Sequence, residues 1–301
     1  MGEGGIQDGG EDSAGSDVLP PEQIAQKTTE EGVKKASLDV PELVVLGLLA
    51  GAYIAFGGLF STVAQAGAQG VMSFGATQVL AGVAFSLGLI LVLVAGAELF
   101  TGNTLLVVAW AEGRAGLTPV LQALGVAYAA NFVGSVAVAA LAFLAGVHTA
   151  GDGAVGVAAL NAAEQKAALD FGTAFASGVA ANALVCLAVW LAFGARGAAD
   201  KVLVIVPPIA AFVALGLEHS VANMSLIPFG WMVKAFAEPE FWSQVGLDPA
   251  RFEALTSGGF VANLVPATLG NVVGGVLVGA AYWTTARIRA VSSHKGFHAL
   301  V

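Results

Sequence analysis

Apolar residues dominate six long stretches of this chain, and segments rich in polar residues and glycine separate them. A helix needs about 20 predominantly apolar residues to cross a hydrocarbon core of about 30 Å. The stretches that meet this length are residues 40–63, 79–111, 117–146, 171–194, 202–233 and 258–286. The pattern predicts an all-α membrane protein with six transmembrane helices.

The composition agrees with this prediction, because 57% of the 301 residues are hydrophobic and only 11% are charged. Soluble domains usually carry about 25% charged residues. Nine of the 21 acidic residues precede residue 40, so the formal net charge of −9 arises mainly from this first segment. We therefore expect an acidic, partly disordered tail at 1–38, a six-helix transmembrane domain at 39–288 and a C-terminal tail at 289–301. Residues 1–20 are expected to be disordered.

A short helix is predicted inside the acidic tail, from Pro21 to Lys35. Its sequence PEQIAQKTTEEGVKK is amphipathic, so we expect it to lie on the membrane surface or beside a pore.

Basic residues predict the orientation, because Lys and Arg are more frequent in cytoplasmic loops. With six crossings both termini lie on one side, and that side holds nine of the 12 Lys and Arg residues. The nine are Lys27, Lys34, Lys35, Arg114, Arg196, Lys201, Arg287, Arg289 and Lys295, whereas the other side holds Lys166, Lys234 and Arg251. We therefore expect both termini in the cytoplasm.

The second and fifth stretches contain similar polar interruptions. GAELFTGN occupies residues 96–103 and GLEHSVAN residues 216–223, so Gly, Glu and Asn recur 120 positions apart. A second echo joins NFVG at 131–134 to NVVG at 271–274. Because each half has an odd number of crossings, the second half enters the bilayer upside down. The sequence predicts a 3+3 inverted repeat with broken second and fifth helices.

Glycines are expected to let the backbone leave helical geometry at these breaks, at Gly96, Gly102 and Gly216. Irregular backbone at membrane depth survives only where it is buried in protein or lines a cavity. The two breaks are therefore expected to meet near the bilayer midplane and to form the binding site there.

Four polar residues recur at matching positions and are expected to support the breaks. Glu98 and Glu218 are expected to accept hydrogen bonds from exposed backbone N–H groups. Asn103 and Asn223 can donate hydrogen bonds to the freed carbonyl groups.

His219 on the second break and Thr101 on the first could face one axis from opposite halves. An ionisable residue inside a membrane is a functional hypothesis by default, because its burial is costly. The alternative is a neutral histidine that only holds the break together. The four histidines are scattered, and Cys186 has no partner at metal-ligand spacing and is expected to be a packing residue. We therefore predict no metal site, no cofactor and no enzymatic activity.

Five stretches of the sequence form a distinctive set of motifs. They are FSLGLILVLVAGAELFTGN at 85–103, ANALVCLAVW at 181–190, LEHSVANMSLIP at 217–228, PEFWSQVG at 239–246 and NLVPATLGN at 263–271. Together they resemble the formate/nitrite transporter family. The resemblance runs from about residue 40 to residue 286. It implies a homopentamer of aquaporin-like protomers in the bacterial inner membrane, each with its own pore for small monovalent anions.

The resemblance also implies roles for pore residues. The central site would contain His219, Thr101 and Asn182. The cytoplasmic constriction would be formed by Leu89, Leu99, Phe100 and Val185, and the periplasmic constriction by Phe85 and Phe212. Lys166 would lie in the vestibule and attract anions. Apolar constrictions make passage of a bare anion costly. A hydrogen bond or a proton from His219 would relieve that cost, and its titration near neutral pH would couple flux to acidity.

Formate is the expected substrate, passing in either direction as the anion, as formic acid or with a proton. IPFG after EHSVANM and the PEFWSQVG segment resemble the formate-channel branch, whereas TGN after LF resembles nitrite-type members. The alternatives are a nitrite channel or an accessory membrane subunit of a formate-metabolising complex. Passive conduction and proton symport both stay open. The expected partners are the anions, the lipid bilayer and further copies of the chain, with no nucleic acid.

Overall fold

Helices make up about four fifths of the chain that the structure describes. The computed structural model covers the backbone of residues 18–298 and the side chains of residues 18–288. Most of the segment expected to be disordered, residues 1–17, lies outside this range, as do residues 299–301. The helices are α1 Pro21–Ala36, α2 Val40–Gln65, α3 Phe74–Ala95, α4 Phe100–Asn103, α5 Leu106–Ala111, α6 Leu117–Leu144, α7 Ala154–Ala167, α8 Phe171–Gly194, α9 Ala198–Ala214, α10 Ser220–Phe236, α11 Pro239–Val245 and α12 Ser257–His298.

The predicted all-α membrane fold is confirmed. Within the described residues, α2, α3, α6, α8 and α12 are each long and apolar enough to cross a bilayer, with mean hydropathies between 1.7 and 2.4. The fifth crossing is shared by α9 and α10, which have 17 residues each because the break divides them. The second crossing continues from α3 through the short helices α4 and α5.

Both breaks start at a glycine in the left-handed region. α3 ends at Ala95, and Gly96 follows with φ +83°. α9 ends at Ala214, and Gly216 follows one residue later with φ +66°. Glycine adopts such angles without steric strain. Gly102 was expected to leave helical geometry as well, but it lies inside α4, so that expectation is wrong.

The two halves of the repeat make equivalent helix contacts. α2 packs against α3 and α6, and α8 packs against α9 and α12. Glycines allow the backbones to approach closely, since a Cβ on Gly134 would overlap the carbonyl oxygen of Leu48, and a Cβ on Gly274 would overlap that of Val179. The repeated NFVG and NVVG segments therefore mark the same packing position in each half.

α1 is part of this packed unit. It contacts α5 and α8, just as α7 contacts α10 in the other half. A Cβ on Gly32 would lie 2.9 Å from the Cβ of Ala109, and Leu19 N–H donates to the carbonyl of Gly194 at 2.9 Å. α1 thus lies at one end of the helix bundle, called here the α1 face, and α7 lies towards the opposite face.

Candidate functional site

The two breaks meet at a hydrogen bond between His219 and Thr101. His219 Nε2 lies 2.8 Å from Thr101 Oγ1, and both residues are buried. His219 also caps α10, because its Nδ1 accepts the backbone N–H of Ala222 at 3.1 Å. A nitrogen that accepts a hydrogen bond carries no proton, so the neutral ring carries its proton on Nε2. Nε2–H therefore donates to Thr101 Oγ1, and the Thr101 hydroxyl proton stays available for another acceptor.

Side-chain donors fix the backbone of Thr101. Its carbonyl accepts a hydrogen bond from Thr104 Oγ1 at 2.6 Å and another from Asn182 Nδ2 at 3.2 Å. Cys186 Sγ lies 3.6 Å from the same oxygen. Because α4 ends two residues after Thr101, the helix offers few backbone N–H groups that could donate to this carbonyl. Asn182 therefore contacts the central pair through the backbone of Thr101.

Asn271 holds the backbone on both sides of His219. Its Oδ1 accepts the N–H of Ser220 at 2.8 Å, and its Nδ2 donates to the carbonyl of Glu218 at 2.9 Å. Nδ2 also donates to the carbonyl of Gly178 on α8 at 2.8 Å. The residue is fully buried. One amide side chain thus fixes the break to two neighbouring helices.

Asn131 plays the equivalent part around Leu99. Its Oδ1 accepts the N–H of Phe100 at 2.9 Å, and its Nδ2 donates to the carbonyl of Glu98 at 3.0 Å and of Gly47 at 2.8 Å. The sequence pattern assigned no role to either asparagine. The available signal was the NFVG and NVVG echo, which marks equivalent positions but does not name their hydrogen-bond partners.

Glu218 is paired with Lys166 on α7. Lys166 Nζ donates to Glu218 Oε1 at 2.8 Å, and the lysine side chain is only 18% exposed. The other carboxylate oxygen, Oε2, accepts from Asn223 Nδ2 at 2.6 Å and from Asn263 Nδ2 at 2.8 Å. The predicted vestibule lysine is therefore held by an ion pair beside the second break.

Glu98 is paired in the same way with Lys35 on α1. Lys35 Nζ donates to Glu98 Oε1 at 2.8 Å and to Asn103 Oδ1 at 3.1 Å. Asn103 Nδ2 donates to Glu98 Oε2 at 2.8 Å. The sequence placed Lys35 only on an amphipathic helix, and its role at the first break became visible in the tertiary structure.

The partners of the four support residues differ from those expected. Both glutamates accept hydrogen bonds from lysine and asparagine side chains, and the backbone groups of the breaks bond to Asn131 and Asn271 instead. The reason is chemical. A carboxylate gains most from a cationic donor, whereas an amide carries a donor and an acceptor and can bond N–H and C=O groups of one break together. The four support residues whose expected partners were wrong are Glu98, Glu218, Asn103 and Asn223.

A cavity of about 540 Å³ reaches the site from the opposite face. Phe85, Phe212 and His219 line it, together with Lys166 and Asn223. The rings of Phe85 and Phe212 meet edge to face with centroids 5.3 Å apart, and Phe212 lies 5.8 Å from the His219 ring. The two residues of the predicted periplasmic constriction therefore lie together and next to the histidine.

A much smaller cavity of about 40 Å³ lies on the α1 face. Leu89 and Leu99 line it with Lys35, so two residues of the predicted cytoplasmic constriction adjoin this cavity. Phe100 packs edge-on against Tyr128, with centroids 4.8 Å apart, and Val185 is buried in the same apolar core. A volume of this size holds only a few water molecules.

The described residues offer no metal centre. No three His, Cys, Asp or Glu side chains within residues 18–288 lie in an arrangement that could hold an ion.

The chain matches known proteins over most of its length. The family model described as "Formate/nitrite transporter" matches residues 22–284. "Formate channel FocA" of Escherichia coli (strain K12) is 40% identical over 269 residues, which are 89% of this chain and 94% of that protein. "Formate channel FocA" of Haemophilus influenzae is 40% identical over 232 residues, which are 77% of this chain and 81% of that protein.

A solved structure described as "Pentameric formate channel with formate bound" has the same fold. The TM-score is 0.74 at 38% sequence identity, covering 82% of this chain and 97% of that chain. The family match begins at residue 22, inside α1, and so extends further than the transmembrane motifs indicated.

Proposed function

This chain belongs to the formate/nitrite transporter family, and we propose that it is a formate channel. The family identifies a transport protein and not an enzyme. The observation that carries the proposal is the buried hydrogen bond of 2.8 Å between His219 and Thr101, which joins the two inverted halves. Leu99 and Gly102 line the cavity on one side of this pair, and His219 lines the cavity on the other.

The central pair offers a hydrogen-bond donor to the substrate. His219 Nε2–H is used on Thr101 Oγ1, so the Thr101 hydroxyl donates to an oxygen of formate. The anion and the acid both have an acceptor oxygen, so this donor serves either form. Phe85 and Phe212 exclude water beside the donor, and the hydrogen bond replaces part of the lost hydration.

His219 acts in this proposal as a hydrogen-bond donor. Protonation of the ring would place an N–H on Nδ1, where the N–H of Ala222 already points. α10 would then lose its N-terminal cap, which is worth about 1 kcal/mol. Titration of His219 is therefore coupled to loosening of α10, and this favours a neutral ring during conduction.

The channel forms a homopentamer in the bacterial inner membrane, with a pore in each protomer and both termini in the cytoplasm. Support comes from the pentameric relative and from large apolar side chains exposed on several helices, such as Val45, Leu121 and Leu277. Such surfaces meet lipid or neighbouring copies. Nine of the 12 basic residues belong to the side that carries both termini, which supports a cytoplasmic α1 face. Nitrite is not favoured, because the relatives described above are named formate channels.

Purified protein in proteoliposomes tests the proposal, because no other subunit is present. We expect passive formate flux in both directions down a concentration gradient. His219→Phe is expected to reduce the flux at least about tenfold. The change removes the neutral Nε2–H that donates to Thr101 and also the N-terminal cap of α10.

His148→Phe is the matched control, since it makes the same change outside the central pair. It is expected to keep the wild-type flux. Undiminished flux through His219→Phe, at equal pentamer content, would remove His219 from the site. Absence of flux through the wild-type protein would favour an accessory subunit.

A further inference from the structure

The last turn of α7 carries two charged residues with different partners. Lys166 Nζ donates to Glu218 Oε1 at the second break, and Lys166 lines the cavity of about 540 Å³. Glu164, two positions earlier, bonds to a different part of the chain. α7 has 14 residues, and a helix of this length is marginal by itself and frays at its ends. The position of Lys166 therefore depends on the contacts that hold this turn.

Glu164 fixes the turn to the segment that precedes α12. One of its carboxylate oxygens accepts the backbone N–H of Ala254 at 3.0 Å, and the other accepts that of Leu255 at 2.9 Å. Hydrogen bonds to a carboxylate are about twice as strong as neutral ones. The side chain of Glu164 is partly buried, so water competes less for it than at the surface.

Lys234 holds the same segment from α10. Its ammonium donates to the carbonyl of Phe252 and, at 3.2 Å, to that of Leu255. The side chains of Phe252 and Leu255 are both buried, so the segment is also fixed by packing. α7 itself packs tightly on α10, since a Cβ on Gly230 would overlap the Cβ of Ala163. One segment thus connects α7, α10 and α12.

Glu164, Lys234 and residues 252–255 are named here the α7 clamp. A carboxylate from one helix binds the N–H groups of the segment, and an ammonium from another helix binds its C=O groups. The repeat does not account for this arrangement. α1 is the counterpart of α7, and the residue two positions before its Lys35 is Val33, which has no polar side chain. The clamp therefore has no equivalent beside Lys35.

The start of α12 contacts the same turn of α7 a second time, through Asn263. Asn263 Nδ2 donates to the carbonyl of Lys166 at 2.9 Å and to Glu218 Oε2 at 2.8 Å. The backbone of Lys166 and the carboxylate that its ammonium binds are therefore both fixed to α12. A shift of the turn relative to α12 would change the distance between Lys166 Nζ and Glu218 Oε1.

We propose that Glu164 is a positioning residue, which holds Lys166 against Glu218 and thereby sets how strongly formate is captured in the cavity. Without the clamp the last turn of α7 frays, and the ammonium samples more positions. A group that is already fixed loses less conformational entropy when it binds a ligand, so its capture of formate is stronger. The effect on transport rests on the proposed formate function, whereas the position of Lys166 is measured independently of it.

Glu164→Gln tests the inference with little change in side-chain volume. The amide accepts from only one of the two N–H groups, because its NH2 group faces the other. Glu253→Gln is the matched control, since it makes the same change inside the clamped segment. Its side chain is exposed and has no hydrogen-bond partner among residues 18–288.

The first readout is the position of Lys166. A water-soluble amine-acylating reagent is added to the purified protein, and mass spectrometry follows the acylation of Lys166. Glu164→Gln is expected to raise the rate at least about fivefold, because an amine released from its ion pair reacts more readily. Glu253→Gln is expected to keep the wild-type rate.

The second readout is initial formate uptake into proteoliposomes over a range of formate concentrations. Glu164→Gln is expected to raise the half-maximal concentration about fivefold and to change the maximal rate less than about twofold, since Lys166 acts on capture. Lys166→Gln keeps a donor for Glu218 but removes the ammonium. In that background Glu164→Gln is expected to have no further effect, because no ammonium remains to be positioned.

An unchanged acylation rate or an unchanged half-maximal concentration in Glu164→Gln overturns the inference. An equal rise in the wild-type and Lys166→Gln backgrounds also overturns it, because the clamp would then act on the fold alone. If Glu164→Gln does not assemble, Lys234→Met takes its place in both measurements, and failure of both variants to assemble counts against the inference. A wild-type protein that carries no formate refutes the proposed function, and the acylation rate then decides on the clamp.

Discussion

Replacement of Asn271 by alanine removes the side chain that holds the backbone on both sides of His219. Three hydrogen bonds of 2.8–2.9 Å are lost, to Ser220 N–H, to the Glu218 carbonyl and to the Gly178 carbonyl. These three backbone groups lie next to the side chain of Asn271, which is fully buried. The alanine therefore leaves one N–H and two C=O groups without their partner.

The size of the effect follows from the number of bonds. At about 0.6 kcal/mol per hydrogen bond, an average measured inside a membrane protein, the loss is about 2 kcal/mol. At about 1.5 kcal/mol per bond, the upper part of the range for soluble proteins, it is about 4.5 kcal/mol. We expect Asn271→Ala to lower the free energy of unfolding by about 2–5 kcal/mol. Formate flux is expected to fall as well, because His219 loses its fixed position.

Denaturant unfolding of the detergent-solubilised protein measures the stability, and uptake into proteoliposomes measures the flux. Asn131→Ala loses the equivalent three bonds around Leu99 and is expected to be destabilised by a similar amount. Asn161→Ala is the control, because Asn161 on α7 is only partly buried and has no side-chain hydrogen bond within the described residues. A stability of Asn271→Ala equal to that of the control would refute the view that these asparagines hold the breaks.

Two further predictions concern other residues. Thr101→Val keeps the side-chain volume but removes the hydroxyl, so formate uptake by an intact pentamer is expected to slow at least about tenfold. Cys186→Ser, which changes a side chain next to the Thr101 carbonyl, is the control and is expected to retain normal uptake. Equal uptake rates in the two variants would exclude Thr101 from the substrate site. Burial against Phe143 lowers the pKa of His148 below its ordinary 6.5. The folded state therefore favours the neutral ring, and the full stability of the fold is present above about pH 6.5, where the ring is neutral in both the folded and the unfolded chain. This stability is lost as the pH falls from 6.5 through the lowered pKa of the folded state. His148→Phe should flatten the fall in melting temperature on acidification, whereas an unchanged pH profile would contradict this.

The crossings and their breaks were predictable from the sequence, because both are local properties of the chain. The stretch 171–194 is long, mostly apolar and free of charged residues, and it forms α8 with those bounds. Gly96 and Gly216 interrupt their helices because a left-handed angle suits glycine. The repeat of the polar residues around them also indicated that His219 and Thr101 belong together. α12 continues to His298, beyond the predicted end at 286. The length of an apolar stretch reflects the thickness of the bilayer core, and a helix can be longer than its apolar stretch.

The partners of the polar side chains were decided by the tertiary structure alone. Lys35 lies 63 positions from Glu98 in the chain, yet the two form an ion pair once α1 packs against the bundle. Asn131 and Asn271 each reach backbone groups of two other helices, and no local pattern encodes those distances. A buried polar group binds the best donor or acceptor that folding brings within reach. The sequence determined which segments cross the membrane and where they break, and packing of distant helices determined which side chains hold the breaks together.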